Sequence, residues 1–198
     1  MWRRLAAALT VLVLLAGCSF GDDAPRKFPA RPNAGLASLL ENPPQYTQPG
    51  VSSWAKDYTP SIAQFVDFFY AVDARKEITA SLDKQGLRNV AHMLWITDDN
   101  IQNDIVLLEF GNSDGASARR SFVESVNSTN DGLTSYSIVG PGAPVVYLQN
   151  HKDTQGYLSA KAYATVNNYV VEMFVASRRV IPPRLIQLWL SGQVAKLG

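Results

Sequence analysis

The chain has 198 residues, 46% hydrophobic and 10% aromatic, with a formal net charge of +1 and a single cysteine. So balanced a charge leaves no electrostatic footprint for nucleic acid. One cysteine excludes an intramolecular disulfide, so packing alone must hold the fold.

Arg3 and Arg4 precede an apolar stretch over residues 5–15 and small residues at 16 and 17. This is the layout of a secretory signal over residues 1–17. Its apolar part spans only about 16 Å as a helix, half of a bilayer core, which argues against a permanent transmembrane segment. The run Leu15-Ala16-Gly17-Cys18 resembles the lipobox of bacterial lipoproteins. That resemblance implies cleavage between Gly17 and Cys18 and a thioether-linked diacylglycerol on Cys18. Residues 18–35, with Pro25, Pro29 and Pro32, read as a flexible tether. Arg26, Lys27 and Arg31 keep it soluble, and two acyl chains would dominate the membrane affinity. Residues 36–55 hold Leu36, Leu39, Leu40, Pro43, Pro44, Pro49 and Trp54. They read as a proline-punctuated arm packed on the domain, starting with a short helical turn; the alternative is a linear motif for a partner.

Residues 56–198 form the domain. Thr59-Pro60 has the chemistry of a helix start, and Ile62, Phe65, Val66, Phe69 and Val72 then fall on one helical stripe. A second helix carries Ile78 and Leu82 inward and stops at Gly86. From there the period becomes two. Val90, His92, Leu94 and Ile96 share one strand face, Asp98-Asp99-Asn100 is turn chemistry, and residues 101–110 return as a second strand. Asn112 caps a helix to about residue 127, with Ala116, Phe122, Val123 and Val126 inward and Arg119, Arg120 and Glu124 outward. Strands follow at 136–139, 145–149, 157–166 and 169–176; Asn167-Asn168 suits a type I′ turn between the last two. Pro182-Pro183 opens a final helix with Leu185, Ile186, Trp189 and Leu190. Hairpins without βαβ alternation predict a single α+β domain: an antiparallel sheet of five to six strands, helices mainly on one face.

Chemical signals are sparse. His92 shares its face with aliphatic residues and reads as a hydrogen-bonded strand histidine, while His151 sits in the hydrophilic turn Asn150-His151-Lys152-Asp153. Neither has companions at metal-ligand spacing, and neither a nucleophile elbow nor a phosphate-binding loop is present, so no catalytic residue, metal or cofactor is assigned. The Asp98-Asp99-Asn100…Asp104 run lacks the glycine and glutamate of a calcium loop. Glu109 and Glu172 lie in strands and are expected to point to solvent. Tyr147, Tyr157, Tyr163 and Tyr169 cluster in the late strands. Sheet packing explains them; the sharper reading is a ligand or partner surface on an uncovered sheet face.

Several segments together resemble the extracytoplasmic domains of actinobacterial lipoproteins and receptor-kinase sensor domains of PknH type, and more loosely the Mog1/PsbP-like α+β fold. They are Phe65-Val66-Asp67-Phe68-Phe69-Tyr70, Gly86-Leu87-Arg88, Leu94-Trp95-Ile96-Thr97, Leu107-Leu108-Glu109-Phe110-Gly111-Asn112, Val139-Gly140-Pro141-Gly142-Ala143-Pro144 and Gly192-Gln193-Val194-Ala195-Lys196-Leu197. The kinase sensor domains carry disulfides that this chain cannot form. The resemblance implies the fold and carries over no catalytic residue. The expectation is a non-enzymatic binding or accessory module, held to the outer face of the cell membrane by the lipid on Cys18. Its partner would be another envelope protein or an apolar small molecule. The competing class is an envelope enzyme, which would need His92 or His151, a carboxylate and a hydroxyl in one cleft.

Overall fold

Alternation of period two, interrupted by turn residues, builds one antiparallel sheet around which the helices are arranged. The computed structural model describes residues 34–50 and 58–198. The signal, Cys18, nearly all of the tether, and Trp54 lie outside the described residues. The arm begins with a 3-10 turn at Leu36–Leu39 and contributes β1, Thr47–Pro49. Then come α1 (Ile62–Phe69), α2 (Arg75–Gln85), β2 (Leu87–Thr97), β3 (Gln102–Phe110) and α3 (Ser113–Ser128). The late elements are β4 (Leu133–Ser137), β5 (Val145–Gln149), β6 (Leu158–Val166), β7 (Tyr169–Ser177) and α4 (Pro183–Leu197).

The sheet has seven strands in the order β1-β2-β3-β7-β6-β5-β4, all neighbours antiparallel. The expected five to six omits β1. Pro49 weakens any strand signal there, yet proline is tolerated on an edge strand, and β1 pairs only with β2. Three of the four α-helices among the described residues pack on one face, as expected, and α4 packs on the other. Phe65, Val66 and Phe69 of α1, Ile78 and Leu82 of α2 and Ala116 of α3 pack with Val90, Val106, Leu108 and Val170. On the opposite face Ile186, Trp189, Leu190 and Val194 of α4 join Leu36, Ala37 and Leu40 of the arm against Met93, Trp95, Ile105 and Met173. Ala160, Ala162 and Ala164 line that face of β6, and their small side chains let α4 approach. Trp95 and Trp189 meet edge-on with ring centroids 5.3 Å apart.

Local chemistry differs from expectation at three points. The cap of α1 is Ser61 rather than Thr59, in a capping box with Gln64, and Val72 lies beyond the helix and is exposed. The β6–β7 turn has positive φ only at Asn167 (53°), so it is not type I′. Asn168 is held instead by β3: its side chain donates to the Phe110 carbonyl and its own carbonyl accepts from the Phe110 amide, both at 2.9 Å. Gly86 does end α2 in the left-handed region (φ 77°), as its position predicts.

Candidate functional site

Pairing register decides which side chains share the α1–α3 face. Asp104 of β3 opposes Phe174 of β7, which opposes Lys161 of β6, which opposes Tyr147 of β5. One rung further from the helices, Gln102, Ala176 and Ser159 stand in the same order. Phe174 stacks on Phe69 at the end of α1, with ring centroids 4.6 Å apart. Past that stack no helix among the described residues covers this face of the sheet, and a cavity of about 340 Å³ opens. Gln102, Asp104, Ser159, Lys161 and Phe174 line it from the sheet; Asn130, Leu133, His151, Lys152, Asp153 and Tyr157 line it from the flanking strand ends and loops. Its size is at the lower end for small-molecule sites.

The wall formed by loop 150–157 is tied down. Asp153 Oδ1 accepts from the Gln155 and Tyr157 amides at 2.9 and 2.8 Å, and Gly156 takes the positive φ (83°) that closes the turn. The Arg178 guanidinium lies 4.9 Å over the Tyr157 ring.

Charges in the cavity are unequally satisfied. Asp104 Oδ1 is 2.8 Å from His92 Nε2, and its Oδ2 accepts from Gln102 Nε2 at 3.0 Å. Asp153 is occupied by its own turn. Both acids therefore have partners. The Lys161 ammonium has neither a hydrogen bond nor an ion pair among the described residues, although the side chain is only partly exposed. Burial pulls its ammonium down to about 8, with the Glu172 carboxylate opposing that shift. The exposed Lys152 also lines the cavity, with no ion pair among the described residues.

Beneath α3 a second charged cluster is closed to solvent. Arg119 donates through Nε to Glu172 Oε1 at 2.7 Å and through Nη2 to the Tyr70 hydroxyl at 2.5 Å. Burial lowers the guanidinium pKa, but Glu172 and Tyr70 outweigh it and leave it above the ordinary value. The Tyr70 hydroxyl is raised by burial. Arg119 and Glu172, expected to face outward, are each 1% exposed. They correct that reading together, since each makes the other's burial possible.

Of the four strand tyrosines, only Tyr157 reaches the cavity. Tyr147 and Tyr163 are buried under α3 beside Val123, their rings 6.2 Å apart, and Tyr169 is half-buried against the α4-side core. His92 is buried with Asp104, while His151 is exposed on the cavity rim. Glu109 does lie at the surface, where it accepts from Asn89. Asp98 and Asp99 form the β2–β3 turn, with Asn100 at φ 58°. No cluster of three or more potential metal ligands occurs among the described residues.

Lys161 was missed by sequence reasoning, and the signal was available. In Ser159-Ala160-Lys161-Ala162-Tyr163-Ala164, small and large residues alternate. An alanine face against α4 obliges Lys161 to lie on the face of Tyr163. Arg119 likewise continues the stripe Ala116, Arg119, Val123, Asn127 at helical spacing.

No protein-family model and no curated protein matches the sequence. The fold is similar to that of the extracellular domain of PknH from Mycobacterium tuberculosis, with a TM-score of 0.51 at 14% identity, covering 82% of this chain and 94% of that one. At that identity the likeness is one of fold. No helix among the described residues is long and apolar enough to cross a membrane.

Proposed function

We propose that the protein is a non-enzymatic binding module of the bacterial envelope, lipid-anchored through Cys18 on the extracytoplasmic side, and that the cavity at the open end of its sheet takes a small molecule. The observation that carries the reading is Lys161: a partly buried ammonium with no hydrogen bond or ion pair among the described residues, inside a cavity whose carboxylates already accept hydrogen bonds. Burying part of a charge without compensation costs stability, and a bound ligand supplies the compensation. The lipobox resemblance supports the anchor, and the fold likeness to an extracellular domain supports the location.

A protein partner on a bare sheet face has less support, because α1–α3 occupy much of one face and α4 packs on the other. Among the described residues, the exposed large apolar side chains Tyr46, Val72, Val139, Val180 and Leu188 are spread over five separate segments. An enclosed carrier site for a purely apolar molecule is disfavoured by the charged lining. The test is native mass spectrometry of the full chain released from detergent after purification from its host's envelope. A small co-purifying mass, lost on denaturation, is the expected result. A chain free of any small molecule, even after incubation with envelope extract, contradicts the reading.

A further inference from the structure

Resting on that reading, we infer that the cavity selects a small amphipathic organic anion, whose carboxylate or phosphate pairs with Lys161 while its apolar body lies on Phe174. The charge distribution gives the sign. Asp104 is turned toward His92 and Gln102, and Asp153 Oδ1 caps its own turn, so both carboxylates already accept hydrogen bonds within the protein while the lysine ammoniums donate none among the described residues. Lys161 on the floor and the exposed Lys152 on the wall have no side-chain hydrogen bond or ion pair among the described residues, and His151 stands at the rim. The register gives the shape. Phe174 lies between Asp104 and Lys161 in one rung, so an apolar group beside the ammonium rests on the ring, with Leu133 lining the cavity too.

Binding of this kind is coupled to a proton. The free ammonium titrates near 8 because burial disfavours its charge, and an anion beside it favours the charged form. Among the groups around Lys161, Glu172 already favours the charged form, and a bound anion adds to that. Glu172 on β7 is committed to Arg119 of α3, which also binds Tyr70, while Asp104 on β3 is committed to His92 of β2. Tyr147 on β5 and Tyr163 on β6 have hydroxyls raised by burial and are neutral at pH 8. His151, Lys152 and Asp153 complete the set from the loop, with Arg178 over Tyr157.

Isothermal titration of the full lipidated chain in nanodiscs tests the inference. The probes are 3-phenylpropionate, phenyl phosphate, 3-phenyl-1-propanol, 3-phenylpropylamine and inorganic phosphate. At least one of the two aromatic anions should bind, at least tenfold tighter than the alcohol and the amine. That preference should vanish in Lys161→Met, and Lys161→Arg should keep it. At pH 8, heats in buffers of different ionisation enthalpy should report about half a proton taken up by the wild type and none by Lys161→Arg. Equal affinity for acid and alcohol, preference for the amine, or no binding of any probe overturns the inference. Inorganic phosphate binding as tightly as phenyl phosphate overturns the amphipathic body. Preference for the carboxylate over the phosphate, or the reverse, identifies which anion the site takes. If the probes fail while native mass spectrometry still finds a small molecule, the binding reading stands and only the ligand class falls.

Discussion

At the scale of single residues, the buried Arg119 and Glu172 and the partly buried Lys161 set the chemistry. Arg119 and Glu172 neutralise each other under α3, so removing one strands the other. Glu172→Leu is expected to cost about 3–5 kcal/mol in denaturant unfolding, and the double change Arg119→Met with Glu172→Leu to recover most of it. A double variant as unstable as the single would contradict this. Lys161 behaves oppositely, because its charge is unpaired. It titrates near 8 in the fold and near 10.4 when unfolded, so between those values the unfolded chain binds more protons. Stability therefore rises from pH 8 toward about pH 10 as the charge is relieved. Lys161→Met should be about 1–2 kcal/mol more stable at pH 7 and should lack that rise. A pH profile parallel to the wild type would refute the assignment. These residues were the least legible in the sequence. A charged residue in an alternating strand is read outward by default, and only its neighbours on other elements reverse that reading.

At the scale of elements, most of the fold is written in the chain. The stripe of α1, the Gly86 stop, the Asn112 cap and the alternation of β2, β3, β6 and β7 each follow from local chemistry. What local chemistry does not carry is which face each helix takes. That depends on the alanines of β6, which admit α4 on one side, and on the contact of α2 with α3 on the other. Gly115 makes that second contact: a Cβ placed there would lie 2.1 Å from the Gln85 carbonyl oxygen. Gly115→Ala must push the end of α2 from the start of α3 and should cost about 2–3 kcal/mol in thermal or denaturant unfolding. An unchanged stability would show that the helices part freely. β1 escaped notice because three residues ending in proline carry too little pattern to be read as a strand.

At the scale of the whole molecule, the arm and the last helix close the structure on the side away from the cavity. Gln193 of α4 donates to the Leu39 carbonyl at 2.8 Å and accepts from the Glu41 amide at 2.7 Å, while Lys196 Nζ reaches the Leu40 carbonyl. Gln193→Ala removes two of these three bonds. It should cost about 2–3 kcal/mol and speed amide exchange at Glu41, leaving the cavity loops unchanged. The cavity itself was not legible. It exists because α1–α3 end before the sheet does and because loop 150–157 folds beside the uncovered rungs, both products of the register between strands distant in sequence. The most direct test is hydrogen–deuterium exchange of the full chain, with and without small-molecule extract from its host's envelope. Protection confined to residues 130–133, 150–157 and the neighbouring ends of β5 and β6 is the expected result. Protection limited to α4 and the arm, or none anywhere, would contradict a binding site in this cavity.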